Sequence, residues 1–508
     1  MSQAASRAPR IPTDKRALVA VDLGAESCRV SLLRWHGDTP EVTLVHRFAN
    51  GPVERGDGLH WPLRTIEDGI DDGLRRSADL APEGIRSIAV DGWAVDYVRV
   101  DANNNPLDAP FCYRDERTIA AQQQLHTKIS PERLHEITGI QLARLNTLYQ
   151  LYADNAADLP PGARWLNLPE YMLTRWGAAP FAEYTNATHT GMIDLATRDW
   201  SRAIFAAAGL DLHRAAKLTQ PGTRLGRLSK FSGPLADLPA LRDTELIAPA
   251  CHDTASAIAG IPTDAKQWAY ISSGTWSLIG ALLSTPCNSP AALADDFTNL
   301  GAIGNRICFH KAVNGMWLLK QCMDAWEAAG TSFTIDDLVR RASLESEPSA
   351  LLDVGDPELG LVGNMPSRIN AQLRTHGHDT LDESPVGAVR MAALIFHSLA
   401  AAYARALEEL RRYTGVQPTE IVVVGGGCRN DLLCRLTAER TGLPVRRGAP
   451  ESSTIGNLAV QLAALEGGSP AEPDAFAAAV SSWAATLLHA ESASTTPAPT
   501  PVCNVATS

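Results

Sequence analysis

A hairpin closed by a glycine turn occurs twice in the chain, and this repetition limits the fold more than any other feature. The first copy is an apolar strand ending at Asp22-Leu23-Gly24, followed by a second strand up to Leu33. The second copy, Trp268 to Leu282, again has a strand, a glycine turn at Gly274 and a strand. Short apolar runs bounded by turn residues are typical of buried strands joined in hairpins. The repetition therefore predicts two related α/β halves, each opening with such a hairpin.

A third glycine turn lies late in the chain. A helix predicted over Val386 to Thr414 is followed by a buried strand, Glu420 to Val424, and then by Gly425-Gly426-Gly427 and another helix. This is not a Walker motif, since no Gly-Lys-Ser/Thr follows it, and Asn430 stands where a dinucleotide fingerprint would have its last glycine.

The boundary between the two halves is predicted near Gly260, after a short helix that begins at Asp253. Both ends of the chain lack apolar periodicity and are predicted to be disordered. The predicted units are a disordered N-terminus at 1–15, an N-terminal domain at 16–260, a C-terminal domain at 261–485 and a disordered tail at 486–508.

Composition excludes several functional classes. The net charge is −12 and no basic stripe is present, which argues against a nucleic-acid partner. No apolar run reaches the ~18 residues that a membrane span needs, and Met391 to Ala404 is interpreted as a buried helix. The N-terminus has no apolar signal region, and the nine cysteines show no zinc-like spacing. We therefore expect a soluble, cytoplasmic protein with reduced cysteines.

The three glycine turns are candidate phosphate sites. Backbone N–H groups at such turns can point at phosphate oxygens, and a helix N-terminus after the third turn favours an anion. Asp22, at the end of its strand, is a candidate ligand for Mg²⁺, and the hydroxyls of Ser272, Ser273 and Thr275 add donors. An ordinary tight turn is the alternative for each turn taken alone. Two such hairpins in tandem halves, plus the third turn, match the nucleotide cleft of actin-like ATPases and sugar kinases, in which ATP lies between two ribonuclease-H-like domains.

The segment Pro249 to Ser256 carries a candidate base. Asp253 follows a strand and opens an apolar helix, where an aspartate as helix cap is the plain alternative. A carboxylate at this place can also accept the proton of a sugar hydroxyl during phosphoryl transfer. His252 beside it can hydrogen-bond the sugar.

The segment Asp91 to Tyr97 is a candidate sugar contact. Trp93 offers a flat apolar face and Asp96 a hydrogen-bond acceptor. The stretch Trp93 to Val100 is predicted to be a strand, and alternation then places Trp93 and Asp96 on opposite sides. A buried core position for Trp93 is the alternative.

Longer segments carry a resemblance to a known family. They are AVDLGAESCRV (20–30), HRFANGPV (46–53), DGLHW (57–61), DGWAVDY (91–97), YRDERT (113–118), NTLYQL (146–151), EYTNATHTGMID (183–194), CHDTASA (251–257), YISSGTWSLIG (270–280) and VVGGGCRN (423–430). On these segments the chain resembles the FGGY carbohydrate kinases, and within them the L-rhamnulose kinases, over nearly all of residues 16–470.

The resemblance implies an ATP-dependent kinase of a small ketose, with a sugar-binding N-terminal domain and a nucleotide-binding C-terminal domain. It implies Asp253 as the catalytic base. The implied sugar contacts are Trp93, Ala94, Asp96, His252, Asp253, Thr254 and Asn314. The implied ATP contacts are Gly24, Ala25, Glu26, Ser27, Cys28, Arg29, Gly274, Thr275, Lys320, Gly425, Gly426, Gly427 and Asn430.

Two departures from the family pattern bear on the substrate. Ala312 stands where a sugar-contacting Asn is expected, with Asn314 two residues later, and Lys320 replaces an ATP-side Gln. L-rhamnulose is the expected substrate, with L-fuculose, L-xylulose or a non-kinase actin-like ATPase as alternatives. A sugar-responsive repressor would need a DNA-binding module, and residues 1–15 are too short for one. The chain is expected to act as a monomer or homodimer.

Overall fold

Two six-stranded sheets with the same central strand order organise the fold. A computed structural model describes residues 10–154, 159–228, 235, 237–263 and 267–494. Its strands are β1 (Ala17–Leu23), β2 (Ser27–His36), β3 (Thr39–Ala49), β4 (Val53–Arg55), β5 (Gly58–His60), β6 (Ile85–Gly92), β7 (Tyr97–Val100), β8 (Arg164–Asn167), β9 (Phe181–Glu183), β10 (Ile193–Asp194), β11 (Asp199–Trp200), β12 (Lys217–Thr219), β13 (Arg224–Arg227), β14 (Glu245–Ile247), β15 (Ala269–Ser273), β16 (Trp276–Leu283), β17 (Phe297–Gly301), β18 (Ile307–Asn314), β19 (Ile421–Val424) and β20 (Val445–Arg447).

Helices cover both sheets. They are α1 (Leu63–Leu80), α2 (Thr118–His126), α3 (Pro131–Thr138), α4 (Thr147–Ala153), α5 (Leu168–Arg175), α6 (Tyr184–Thr188), α7 (Arg202–Ala208), α8 (Asp253–Ala259), α9 (Pro290–Ala294), α10 (Trp317–Ala328), α11 (Ile335–Ala342), α12 (Met365–Thr375), α13 (Ala388–Thr414), α14 (Asp431–Thr441), α15 (Ser452–Leu465) and α16 (Pro473–Ser494).

The two sheets repeat one topology. The N-terminal sheet has the order β13-β14-β6-β1-β2-β3, and the C-terminal sheet has the order β17-β18-β16-β15-β19-β20. In each, the opening hairpin is antiparallel and its first strand also pairs in parallel with a later strand, β1 with β6 and β15 with β19. The prediction of two related α/β halves, each opened by a glycine-turned hairpin, is confirmed.

The central strands are apolar because both of their faces are covered. Every residue of β1 is buried, and the same holds for the four residues of β19. Strands buried on both faces become nearly continuous apolar runs rather than alternating ones. The outer strand β3 instead has mostly exposed or half-buried side chains.

The longest helix is a core element of the C-terminal half. The segment Pro385–Thr414 is long and apolar enough to cross a membrane, but 89% of its most apolar window is buried inside the protein. The prediction of a buried helix around Met391 to Ala404 is therefore confirmed.

The last two helices return to the N-terminal sheet. Helix α15 packs against α8, β1 and β6, and α16 packs against α15 and β3. At the α8–α15 crossing, a Cβ on Gly456 would lie 1.8 Å from the carbonyl oxygen of Ser256, so only glycine permits this approach. Helix α8, which begins at Asp253, is thereby fixed between the two halves.

Both predicted disordered ends need correction where the structure describes them. The backbone N–H of Arg10 donates to Thr486, and that of Thr13 donates to Glu466. Helix α16 continues past residue 485 because its apolar stripe, which includes Trp483 and Leu487, is buried. The remainder of the predicted tails, 1–9 and 495–508, lies outside the described residues.

Candidate active site

A cavity of about 550 Å³ lies between the two halves, where the carboxyl ends of their central strands meet. Its N-terminal wall comes from the β1–β2 hairpin, β3, the segment after β6 and the start of α8. Its C-terminal wall comes from the β15–β16 hairpin, the third glycine turn and the start of α15. The lining residues are Asp22, Gly24, Ala25, Glu26, Ser27, Arg29, Arg47, Trp93, Tyr113, Arg114, Asp253, Thr254, Ala257, Ser272, Gly274, Thr275, Trp276, Gly425, Gly426, Pro450, Glu451, Ser452 and Ser453.

Two carboxylates lie side by side at the floor. Asp22 and Asp91 are register partners on the parallel strands β1 and β6, so their side chains share one face of the sheet. Helix α15 covers that face. Ser453 Oγ donates to Asp22 Oδ2 at 2.8 Å, and Asn457 Nδ2 donates to Asp91 Oδ1 at 2.6 Å. Two residues one helical turn apart thus fix one carboxylate each.

Burial and neighbouring charges shift the pKa of both carboxylates. Burial raises the pKa of Asp22, and Arg29, whose Nη1 lies 3.0 Å from Asp22 Oδ2, opposes that rise. Burial and then the charge of Asp22 raise the pKa of Asp91 well above its usual range. Asp253 adds to both effects, so neighbouring carboxyl groups raise the pKa of Asp22 and of Asp91 at this floor.

This donor set fits a hydrated divalent cation. Mg²⁺ usually keeps several waters and takes one or two carboxylates together with substrate phosphates. Asp22 lines the cavity, and Asp253 lies close enough to affect its pKa. Among the described residues, no set of three or more His, Cys, Asp or Glu side chains forms a ready-made metal cage.

Asp253 is the first residue of α8 and lines the cavity. The N-cap is His252, which makes no capping hydrogen bond through its side chain. Asp253 Oδ1 accepts hydrogen bonds from the backbone N–H and the hydroxyl of Thr254, its immediate neighbour. The cavity walls exclude much of the water, which raises the pKa of Asp253 to about 6. The carboxylate is therefore ionised at neutral pH and basic enough to accept a proton.

His252 is aimed at the candidate base rather than into the cavity. Its Nε2 lies 3.2 Å from Asp253 Oδ1, and its ring centroid lies 3.8 Å from that of His189. Burial lowers the pKa of His252 to about 3, so the imidazole is neutral at pH 7. His252 does not line the cavity that Asp253 lines.

The second hairpin and the third glycine turn are locked together. A Cβ on Gly425, where φ is 79°, would lie 2.7 Å from the carbonyl oxygen of Ser273, and a Cβ on Gly427 would lie 2.0 Å from Ser273 Oγ. Among the described residues, Gly426 has nothing within 4 Å of its Cβ position, and it lines the cavity. Two of the three glycines therefore serve packing, and the middle one faces the space where a nucleotide would lie.

The predicted strand Trp93 to Val100 is wrong at its start. Strand β7 begins at Tyr97, and Val95 has a φ of 72°, which bends the chain before the strand. The bend brings Trp93 and Asp96 to the same side, where Trp93 Nε1 donates to Asp96 Oδ2 at 2.9 Å. The alternation expected for a strand therefore does not apply here.

Asp96 holds the aromatic wall in place. Its fully buried carboxylate also accepts hydrogen bonds from Trp61 Nε1 at 2.6 Å, Gln150 Nε2 at 2.9 Å and the backbone N–H of Tyr113 at 3.3 Å. Trp93 lines the cavity and Asp96 lies behind it. Burial raises the pKa of Asp96 to about 6.

Other predicted contacts also lie outside the cavity wall. Asn314 is buried and donates to the carbonyl of Val354 at 2.8 Å, and Lys320 is exposed and paired with Asp324 at 3.1 Å. Asn430 caps α14 by accepting from the N–H of Leu433. Cys28, Ala94 and Gly427 are buried beneath the wall.

Sequence reasoning gave no role to several residues that line the cavity. Arg47, Tyr113 and Arg114 lie in the quoted segments HRFANGPV and YRDERT. The segment 450–453 follows a short strand and opens α15, which is the same strand–turn–helix order that marked the third glycine turn. That order is the signal that could have found it.

Comparisons with known proteins give a family match for each half of the chain. Residues 17–260 match the model for the FGGY family of carbohydrate kinases, N-terminal domain, and residues 269–465 match its C-terminal domain. A rhamnulokinase from Enterococcus faecalis is 34% identical over 456 residues, which cover 89% of this chain and 90% of that protein. A rhamnulokinase from Pectobacterium atrosepticum is 34% identical over 457 residues, covering 88% of each chain.

A solved structure shares the fold. The ligand-bound xylulose kinase from Lactobacillus acidophilus superposes with a TM-score of 0.71 at 15% identity, covering 88% of this chain and 89% of that one. At this identity the likeness concerns the fold alone. The predicted fold, two actin-like domains around a nucleotide cleft, is confirmed.

Proposed function

The chain belongs to the FGGY family of carbohydrate kinases, and we propose that it transfers the γ-phosphoryl group of ATP to L-rhamnulose, giving L-rhamnulose 1-phosphate and ADP. The observation that supports the substrate is the 34% identity to two rhamnulokinases along nearly the whole chain. In this reaction a bond forms between the sugar oxygen and the γ-phosphorus. The bond from that phosphorus to the β,γ-bridging oxygen breaks, and the hydroxyl proton leaves to a base.

Asp253 is the residue that we assign as that base. It lines the cavity at the start of α8, and its raised pKa of about 6 still leaves it ionised at neutral pH. His252 Nε2, 3.2 Å from Asp253 Oδ1, and the neighbouring Thr254 fix the orientation of the carboxylate. A positioned carboxylate that takes the proton in the transition state contributes about 10²–10⁴-fold to rate.

The two hairpin turns are the proposed phosphate sites. Gly24 to Ser27 on one wall and Gly274 to Thr275 on the other line the same cavity, with Gly426 beside them for the adenosine side. Backbone N–H groups in such turns bind phosphate oxygens without cationic side chains. Asp22, with Asp253 nearby, would hold Mg²⁺ through water, and the ion would neutralise charge on the phosphates.

The sugar is proposed to lie at the N-terminal wall, against Trp93 and Tyr113 and within reach of Asp253 and Thr254. An aromatic face covers the apolar side of a sugar ring, and the polar groups near α8 meet its hydroxyls. Asp96 supports this wall from behind through its hydrogen bonds to Trp93 and to the backbone of Tyr113.

The experiment that tests the proposal is ADP release with a panel of L-rhamnulose, L-fuculose, L-xylulose, L-ribulose and glycerol, each with saturating MgATP. The highest kcat/KM is expected with L-rhamnulose. A larger kcat/KM with any other member would replace the substrate assignment. ATP turnover that ignores every sugar would overturn the kinase assignment itself.

We further propose that the protein works in the cytoplasm, where its ATP is supplied, as a monomer or homodimer. The net charge of −12 gives no attraction to nucleic acid or to an anionic membrane surface. Light scattering of the purified chain distinguishes the two oligomeric states.

A further inference from the structure

Three arginines surround the first glycine turn, and they differ in how their charge is balanced. Arg29 closes the turn and is paired with Asp22 at 3.0 Å and with Glu451 at 3.5 Å. Arg47 stands opposite Arg29 in the β2–β3 register, and Arg114 lies within electrostatic range of Glu26 in the turn itself. All three line the cavity.

Arg47 and Arg114 have no carboxylate partner in the described part of the chain. No Asp or Glu oxygen there lies within 4.0 Å of either guanidinium, whereas arginines elsewhere in this half, such as Arg117 and Arg175, are paired with carboxylates. Arg114 lies over the ring of Tyr113, 5.4 Å from its centroid. The backbone N–H of Tyr113 is in turn tied to Asp96, so the segment that carries Arg114 is anchored to the aromatic wall.

Two guanidinium groups that have no carboxylate partner among the described residues are available at this cavity wall to bind an anion. The other charged groups in the lining are acidic, namely Asp22, Glu26, Asp253 and Glu451, and Arg29 is already neutralised by two of them. A neutral ketose brings no charge to this wall. Arginine is the side chain that binds phosphate through two parallel hydrogen bonds, and it stabilises the charge spread over the oxygens of a transferring phosphoryl group.

We propose that Arg47 and Arg114 bind the phosphoryl group on the sugar side of the transfer, and that they hold the phosphate monoester of the product. This inference rests on the proposed function for the identity of the sugar but not for the chemistry of the anion. The first glycine turn and Arg29 then meet the phosphates from one side, while Arg47 and Arg114 meet the transferred group from the N-terminal wall. The acceptor is thereby distinguished from its product by charge alone.

The test compares Arg47→Gln, Arg114→Gln and the double variant with Arg133→Gln, a matched control whose one ion pair within the described residues is with the exposed Glu136. Both cavity arginines are exposed, so these substitutions should leave the fold intact. Isothermal titration of the full chain would measure three dissociation constants: for inorganic phosphate, for the free ketose that the panel selects, and for its 1-phosphate.

Each single variant is expected to weaken binding of the sugar phosphate and of inorganic phosphate about tenfold, the scale of a hydrogen bond to a charged group. Binding of the free ketose should change less than about twofold, as should every constant of Arg133→Gln. Arg47→Lys should restore part of the loss, because it keeps the charge but not the paired donors.

Two results would overturn the inference. One is an equal loss of affinity for free ketose and for sugar phosphate, which would make the arginines sugar-hydroxyl donors. The other is unchanged affinity for both phosphates in the double variant. Failure of the proposed substrate is recognised separately, because the inorganic phosphate measurement does not depend on which ketose the enzyme uses.

Discussion

The two opening hairpins have the same topology but opposite chemistry. In the first, Asp22 and Arg29 are register partners beside the turn, and Asp91 extends the acidic floor on the next strand. In the second, the corresponding pair near the turn is Ser273 and Ser277, and no charged side chain of this hairpin lines the cavity. One fold, used twice, therefore gives a charged wall and a neutral wall.

This difference indicates a division of work between the halves. We assign proton removal to the N-terminal wall, because the proposed base Asp253 and the three arginines of the cavity lie there. The C-terminal wall offers backbone N–H groups and the hydroxyl of Thr275, which suit the polyphosphate of a nucleotide. Changes on the first wall should act on turnover, and changes on the second should act on ATP binding or on packing.

The largest expected effect comes from removing the base. Asp253→Asn keeps the size of the side chain and its place beside Thr254 but cannot accept a proton. Turnover should fall about 10²–10⁴-fold. The dissociation constant of the ketose should change little. Coupled ADP release and calorimetric titration of the sugar measure the two quantities.

Asp324→Asn is the control, because Asp324 is exposed and, in the part of the chain that the structure describes, its carboxylate bonds to Lys320 and Gln321 on its own helix α10. It should behave as the wild type does. Near wild-type turnover in Asp253→Asn would remove the base from the charged wall and break the contrast between the two hairpins.

A matched pair of glycine substitutions at the third glycine turn tests which residues of the C-terminal wall serve packing and which serve ATP binding. Gly425→Ala forces a Cβ to 2.7 Å from the carbonyl oxygen of Ser273 at a φ of 79°, whereas Gly426→Ala meets nothing within 4 Å. The first should lower the free energy of unfolding by about 1–3 kcal/mol. The second should leave stability unchanged and raise the KM for ATP, because it narrows the cavity. Urea unfolding and initial rates distinguish them, and equal loss of stability in both would contradict the packing role of Gly425.

The sequence predicts the hairpins, the third glycine turn and Asp253 because their signals are local. A buried strand, a glycine and a following helix stand next to one another in the chain. Asp96 was predicted as a sugar contact, and its supporting role behind the aromatic wall could not be found in this way, nor could any role for Arg47. The partners of Asp96, Trp61 and Gln150, come from segments on either side of it, and the positive φ of Val95 has no signal in a residue type that favours strands.

Long sequence separation also explains why the hydrogen-bond partners of the two carboxylates at the cavity floor were not predicted. Ser453 and Asn457 approach Asp22 and Asp91 from more than 350 residues along the chain, because α15 returns to the N-terminal sheet. Lys320 is the opposite case, a residue that was predicted to contact ATP but does not line the cavity. A position inferred from family spacing points into solvent, where the side chain pairs with Asp324.

The pH dependence of kcat/KM should also distinguish the two walls, with a smaller effect than the substitutions have. A carboxylate can accept a proton only when it is ionised, and burial raises the pKa of the proposed base Asp253 to about 6. With saturating MgATP, kcat/KM for the ketose should be level above that pH and fall about tenfold for each pH unit well below it. Thr275→Ala should reproduce the same acid limb, since Thr275 does not titrate. If Thr275→Ala instead shifts the pH at which kcat/KM begins to fall, the titrating group that controls the rate lies on the nucleotide side.

The smallest expected effect belongs to Thr275 itself. Its hydroxyl is one donor among several that face the cavity from the second hairpin, so Thr275→Ala should remove a single hydrogen bond to a phosphate. A loss of about 1.5 kcal/mol, the lower end for a hydrogen bond to a charged group, corresponds to a KM for ATP that rises roughly tenfold. Thr275→Ser keeps the hydroxyl and should retain the wild-type KM. The affinity for ketose should not change in either variant, because the sugar is proposed to lie on the opposite wall. If Thr275→Ala instead weakens ketose binding while leaving the KM for ATP alone, the neutral wall serves the sugar, and the division of work between the two hairpins is reversed.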